Sequence, residues 1–220
     1  MKIYIKILVA VFSICAFLNA QAIALTNGNE TKGENAGTVT ETYTVSSFSS
    51  NFTIILSIDT DNSSGTSGSD FSSTIIESYG TANDGRIPVT GNGAFNVSYT
   101  IIDDNVDEED ETLKILQTNT GGIASATKTV TITDNDNAPT MQFAAATAND
   151  DEDTGWYTVT VSLSHGSSRS TLPAYTISIG GGSTATGSGT DYNALNPTSY
   201  AFGSGSTTDQ FSIYIQDDAL

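Results

Sequence analysis

Cysteine, basic side chains and a second long apolar run are what this sequence has least of. Cys15 is its one cysteine in 220 residues, so no disulfide can staple the loops. Lysine and arginine number 7 against 25 aspartates and glutamates, giving a formal charge of −18 at pH 7. Nucleic acids and anionic membranes are gripped by Lys/Arg patches, so both are excluded as partners. A surface of this sign attracts cations instead. The single histidine, His165, leaves no His/Cys cluster for zinc. It lies in Ser164-His165-Gly166, which reads as a solvated turn, with neither an orienting acid nor a strand-to-helix elbow to make a nearby serine nucleophilic. Paired carboxylates can hydrolyse glycosides, but the acidic residues cluster in a way that suits metal better, and the chain reads as a non-enzyme. Trp156, the one tryptophan, reads as a core or domain-edge residue. No segment beyond the N-terminus carries a 3.6-residue apolar stripe.

What is present begins with an address. Lys2 and Lys6 precede an apolar run from Ile7 to Leu18, followed by Ala20-Gln21-Ala22 and Ala22-Ile23-Ala24. Charge, short apolar core and small-x-small spacing make residues 1–24 a Sec-type signal peptide, cleaved after Ala22 or Ala24. The run is short for a membrane span and no second candidate follows. A lipid anchor on Cys15 is the alternative, disfavoured by Ile14 just before it. The mature protein is thus expected to be secreted or at the cell surface, without cysteine and more acidic still. Something other than a disulfide must hold its loops, and a metal is the candidate; plain solubility is the bland reading of the same charge. Sequons stand at Asn29, Asn51, Asn62 and Asn96.

The rest alternates. Tyr157, Val159, Val161 and Leu163 interleave with threonine and serine, and Phe95 to Ile101, Tyr175 to Ile179 and Phe211 to Ile215 do the same, the period of half-buried strands. Between them lie stretches rich in Gly, Ser, Thr, Asn and Asp, which are turn compositions. The fold class is all-β, an antiparallel immunoglobulin-like sandwich. A repeat is visible: Gly68-Ser69-Asp70-Phe71 returns as Gly189-Thr190-Asp191-Tyr192. Phe95 to Asp104 returns as Phe211 to Asp218, and Glu34 with Gly37 as Glu152 with Gly155. The offset is about 115 to 120 residues, one sandwich each. Asp134-Asn135-Asp136-Asn137-Ala138-Pro139 reads as the linker, placing the first domain at 25–137 and the second at 138–220. The first copy continues past its acidic pair with two strand-like segments. The second does not, and is expected to be incomplete.

The densest acidic feature is Asp103-Asp104-Asn105-Val106-Asp107-Glu108-Glu109-Asp110-Glu111-Thr112, in one connection at one end of the sandwich. Two carboxylates about 4 Å apart repel by roughly 4 kcal/mol at an effective dielectric near 20, a penalty that a divalent ion reverses. Calcium takes six to eight oxygen ligands, largely carboxylates and carbonyls. By itself such a run is either a solvated acidic loop or a metal site. Glu34, Asp70, Asp134 and Asp136 tip the balance, because connections at one pole of a sandwich can bring them together.

These motifs resemble the Calx-beta family, the calcium-binding modules of sodium–calcium exchangers that also occur in large secreted bacterial repeat proteins. The family pattern is Glu near the first strand, Gly-x-Asp-Tyr/Phe, Asp-Asp-x-x-x-Glu-x-x-Glu-Thr and a closing Thr-Ile-x-Asp-x-Asp. Here it is matched by Glu34, Gly68 to Phe71, Asp103-Asp104 with Glu108 and Glu111-Thr112, and Thr131 to Asp136. The linker is also similar to that of cadherins, but their Asp-Arg-Glu motif is missing. The Calx-beta resemblance implies Ca²⁺ ligands at Glu34, Asp70, Asp103, Asp104, Glu108, Glu111, Asp134 and Asp136, with Glu152, Asp191, Asp217 and Asp218 as the second repeat's partial set. Asp107, Glu109 and Asp110 are expected to face solvent. Asn135, where the strongest exchanger sites carry a third aspartate, implies fewer or weaker ions. The stretch Ile75 to Gly91 is an extension the family pattern lacks.

The function this implies is a calcium-binding structural or adhesion module, calcium stiffening the domain end and linker. Its partners would be calcium ions, other repeats or a cell-surface or matrix ligand. A calcium sensor altering a partner contact is the alternative, as is a metal-free acidic spacer of a larger secreted enzyme.

Overall fold

The computed structural model describes residues 21–25, 28–77, 84–187, 189–193, 195 and 198–217. Residues 1–20 and Asp218 lie outside the described residues, so the signal peptide's charged and apolar parts and one expected ligand have no structural account. Among the described residues no helix is long and apolar enough to cross a membrane.

Alternation becomes strand as expected. The first repeat contains β1 (Ala22–Leu25), β2 (Glu30–Gly33), β3 (Thr38–Ser46), β4 (Phe52–Ile58), β5 (Ile76–Glu77), β6 (Arg86–Val89), β7 (Gly93–Thr100), β8 (Glu111–Asn119) and β9 (Ala126–Thr133). They form two sheets, ordered β1-β3-β7-β5 and β2-β9-β8-β4-β6. Val39, Tyr43, Val45, Val97 and Tyr99 of the first sheet pack on Phe52, Ile54, Leu56, Leu113, Ile115, Val130 and Ile132 of the second. Strand β1 takes in the expected processing site: cleavage after Ala22 leaves Ile23 to Leu25 to pair with β3, whereas cleavage after Ala24 leaves Leu25 alone.

The extension from Ile75 to Gly91 adds an edge to each sheet, β5 beside β7 and β6 beside β4. Buried Glu77 accepts hydrogen bonds from the amides of Asp84 (3.1 Å) and Gly85 (3.2 Å). Gly85 has φ +72°, and a Cβ there would lie 2.1 Å from the Leu56 carbonyl oxygen, so the close approach of the chain to β4 at this point needs glycine.

One pairing positions the acidic pole. Strand β2 runs parallel to β9, with Glu30 opposite Val130 and Gly33 opposite Thr133, whereas the first repeat's other strand pairings are antiparallel. Parallel neighbours finish at the same end, so the next residues, Glu34 and Asp134, emerge together. Strand β8 starts at that end, Glu111 opposite Ile132. The amides of Ile101 and Ile102 donate to the carbonyls of Gly37 (2.9 Å) and Asp70 (3.0 Å), tying two loops to the end of β7.

The second repeat follows the same plan in β10 (Met141–Phe143), β11 (Trp156–Leu163), β12 (Ala174–Thr176), β13 (Ser199–Ala201) and β14 (Thr208–Tyr214), ordered β10-β11-β14 and β12-β13. The likeness extends to single bonds. The Phe71–Ile101 bridge recurs as Tyr192–Ile215, and the Ile101→Gly37 bond recurs as Ile215→Gly155. Among the described residues nothing corresponds to β8 and β9, and the core is small: Val161, Leu163, Phe202 and Phe211. Trp156 is accordingly no core residue. It is 69% exposed on the outer face, edge-on to Tyr214. The expected strand from Tyr175 to Ile179 shrinks to β12, and Ile179 is exposed.

Candidate metal centre

Two carboxylate triads occupy the pole. Glu34, Asp134 and Asp136 form one, and Asp70, Glu108 and Glu111 the other; in each, one oxygen per residue lies within 4.8 Å of the others. Glu34, Asp70, Glu108, Glu111 and Asp134 line a single small cleft with Glu109 and Ile132. Six of the expected ligands of the first repeat are thus brought together, from four separate stretches of chain.

The first triad is built by the parallel pair. Glu34 opens a 3-10 turn directly after β2 and is buried; its Oε2 has no hydrogen-bond partner. The Asp104 amide donates to its carboxylate, but burial and the charges of Asp104, Asp134 and Asp136 push its pKa up to about 7. Asp134 follows β9; its Oδ1 accepts from the Asp136 amide (3.0 Å) and its Oδ2 from the Glu108 amide (3.1 Å). Asp136 Oδ2 is a second buried oxygen without a partner. Burial, then Asp134, raises the Asp136 carboxyl.

The second triad hangs on the loop from Ser63 to Phe71. The amides of Ser64 and Gly65 donate to the Thr112 carbonyl, which brings the loop against β8. Buried Asp70 then turns its Oδ2 back to the Thr66 amide. Burial comes first among the causes that lift Glu111 to about 8, followed by a hydrogen bond shared with Asp70 and the charges of Asp70, Glu108 and Glu34. Glu108 is raised likewise, by burial first. Burial and mutual repulsion disfavour ionisation of these carboxyls, a penalty that a cation placed among them would offset.

Asp103 and Asp104 lie at the rim. Asp103 accepts from Asn135 Nδ2 (2.8 Å), and Asp104 Oδ1 from the Val106 amide (2.7 Å). In the second repeat, Glu152 sits on an exposed 3-10 turn and Asp191 accepts from the Thr186 amide, repeating the Asp70 turn. Neither these nor Asp217 joins a triad among the described residues.

Asp107 corrects the expectation of a solvent-facing side chain. It is buried, because the second repeat's loop from Ser164 to Ser170 closes on it. Ser167 Oγ donates to Asp107 Oδ2 (3.0 Å), the Ser168 amide to its carbonyl (3.0 Å), and Arg169 Nε to its Oδ1. Arg169 Nη2 reaches Asp134 Oδ2 at 2.8 Å. Ser168 Oγ donates to Glu108 Oε1 (2.6 Å), and Ser170 to Glu109, which remains exposed, as does Asp110. His165 is likewise no free turn residue: its Nε2 donates to the Asn137 carbonyl at 2.6 Å, within the linker. Sequence reading missed this clasp. Its one signal was an arginine in a serine-rich loop of a chain poor in basic residues.

The residues fit a hard cation: every donor is an oxygen, two oxygens are buried without a partner, and the cleft's free volume is about 10 Å³, room for roughly one water or ion. The Calx-beta domain model matches the chain twice, over residues 20–136 and 134–220. Among solved structures, the apo form of a Calx CBD1 domain is 21% identical, with 52% of this chain and 96% of that one covered at a TM-score of 0.42. CBD12 of CALX1.2 is also 21% identical, with 88% and 74% covered at 0.43. The calcium binding domain CBD12 of CALX1.1 is 20% identical, with 90% and 76% covered at 0.37. A search of curated proteins gives no match. Two family matches spanning nearly the whole described chain place it: the protein belongs to the Calx-beta domain family.

Proposed function

We propose that the first repeat binds Ca²⁺ through Glu34, Asp134 and Asp136 and through Asp70, Glu108 and Glu111, with Asp103 and Asp104 at the rim. The observation that carries this is the pair of carboxylate triads at one pole, five of their six members lining one cleft, with buried oxygens left unsatisfied. Bound calcium would supply the positive charge these groups lack. The chain's own residues supply the cage: parallel β2 and β9 bring Glu34 to Asp134, and the Ser63–Phe71 loop brings Asp70 to Glu111. In this reading the chain is a non-catalytic structural or adhesion module of a secreted or cell-surface repeat protein, exported by its signal peptide. Calcium stiffens the domain end and linker. The second repeat's Glu152, Asp191, Asp217 and Asp218 are part of a similar site.

A calcium sensor is the second reading. Asp134 favours it, because that carboxylate belongs to the first triad and its Oδ2 also accepts from Arg169, so loading acts on the joint between repeats.

Thermal unfolding of the full chain in EGTA, in Ca²⁺ and in Mg²⁺ tests the metal. At 100 times Kd, binding stabilises by about 2.7 kcal/mol, several degrees for a domain of this size. Calcium should raise the melting temperature where equal magnesium does not, and Glu108→Gln with Glu111→Gln should remove the rise. Identical melting in all three conditions would leave a metal-free acidic sandwich.

A further inference from the structure

Two more buried ionisable side chains lie inside the first sandwich, away from the carboxylate pole. Lys128 on β9 and Glu41 on β3 have side chains 3% and 2% exposed, and their Nζ and Oε1 are 2.6 Å apart across the two sheets. Lys128 Nζ is also 2.6 Å from Glu30 Oε1, on the first residue of β2. Tyr99 of β7 donates to the same oxygen at 3.0 Å, and Lys32 Nζ lies 2.9 Å from Glu30 Oε2. The network stands where the chain leaves the first sheet, at β1, to enter the second, at β2. It gathers side chains from both.

Strand β2 needs such an anchor. Its sequence, Glu-Thr-Lys-Gly, has no apolar side chain, and it is an edge strand paired with β9 alone. Register is firmly set where an apolar face must be buried, and weakly set in polar or glycine-containing strands. Yet the register matters here, because β2 ends directly before Glu34. A slip of one residue shifts Glu34 by about 3.3 Å and turns it to the opposite face. The first triad tolerates no such shift, since its oxygens lie within 4.8 Å of one another.

We infer that the Glu30–Lys128–Glu41 network is a register key for β2, and that these three are positioning residues for the cation site through Glu34. The inference rests on the calcium reading for its consequence but not for its geometry. A polar group that fixes register at some cost in stability is the best-attested use of buried charge.

The test compares the full chain with Glu30→Leu/Glu41→Leu/Lys128→Met. Replacing a buried ion cluster by apolar groups of similar volume often leaves stability unchanged or raises it. Nuclear Overhauser contacts between the backbones of Thr31 and Thr131, opposite one another in the observed register, are measured in EGTA. Calcium isotherms follow. The variant should lose those contacts and bind calcium about 10- to 100-fold more weakly, the scale on which supporting groups act on metal sites. It should match Glu34→Gln while melting no lower than wild type in EGTA. A network that only stabilises the fold would lower the melting temperature and leave contacts and affinity alone. Contacts and affinity retained in the variant overturn the inference. A wild type that binds no calcium overturns the proposed function instead, and the backbone contacts still decide the register. If the triple variant does not fold, Glu30→Gln carries the same two measurements, with the same outcomes deciding.

Discussion

Glu34 and Glu111 carry the pH dependence. Their folded pKa values of about 7 and about 8 lie above the ordinary 4.5, so the folded protein holds protons that the unfolded chain has released. Stability from these groups is fully present below about pH 4.5 and is lost as pH rises through 7 and 8. The metal-free protein should therefore melt progressively lower between pH 5.5 and 8.5, at constant ionic strength. In saturating Ca²⁺ that decline should vanish, because the ion takes the place of the protons. Calcium affinity should fall with pH from 8 to 6, proton and cation competing for the same oxygens. A melting temperature in EGTA that rises over the same range would mean the two carboxyls are ionised in the fold. Glu30 behaves oppositely. Burial opposes its ionisation, but bonds from Glu41, Lys128, Lys32 and Tyr99 bring it down to about 2, so its contribution persists across this window.

Among the elements, the loop from Ser63 to Phe71 shows how a glycine can serve a site it never touches with a side chain. A Cβ on Gly65 would lie 2.9 Å from Glu111 Oε2 and 3.2 Å from the fully buried ring of Phe71. The carboxylate end can move, but moving it breaks the second triad; the ring cannot. Gly65→Ala should cost about 1–3 kcal/mol, as overpacking does, and should weaken calcium binding as well. Chemical denaturation in EGTA and a calcium titration read the two effects separately. An alanine variant with wild-type affinity would show that Glu111 is free to relax. The strand pair β2–β9 and this loop are the two devices that assemble the pole, one by parallel register and one by a tight turn against β8.

At the scale of the whole molecule the joint between repeats decides shape. Arg169 alone among the described basic side chains forms an ion pair from the second repeat to the first, and its one charge is shared between Asp107 and Asp134. Arg169→Gln should have two consequences in the full chain. Calcium affinity should rise several-fold, because Asp134 is released to the cation and the local field becomes more negative. The metal-free joint should loosen, seen as a larger radius of gyration by scattering and faster proteolysis near 137–140, and calcium should reverse part of it. An unchanged scattering profile in EGTA would place the clasp's strength in its serine and backbone bonds rather than in the ion pair.

Alternation with a period of two specified the strands, because a half-buried strand has no other way to hide one face. Carboxylate spacing with the internal repeat specified the acidic pole and most of its members. The two triads, however, exist only through pairing. Nothing local in Glu-Thr-Lys-Gly says that β2 runs parallel to β9, and it is this that sets Glu34 beside Asp134. Asp107 was misplaced for the same reason. From its neighbours it is one more charge in an acidic run, and its burial comes from a loop 60 residues away that carries Ser167 to its Oδ2. Trp156, apolar by nature, lies outside because its strand begins with that side chain on the outer face. Sequence determined periodicity, charge and membership of the family, which are sums over neighbours. Register, burial of individual charges and the clasp between repeats are long-range contacts, and only the tertiary structure could decide them.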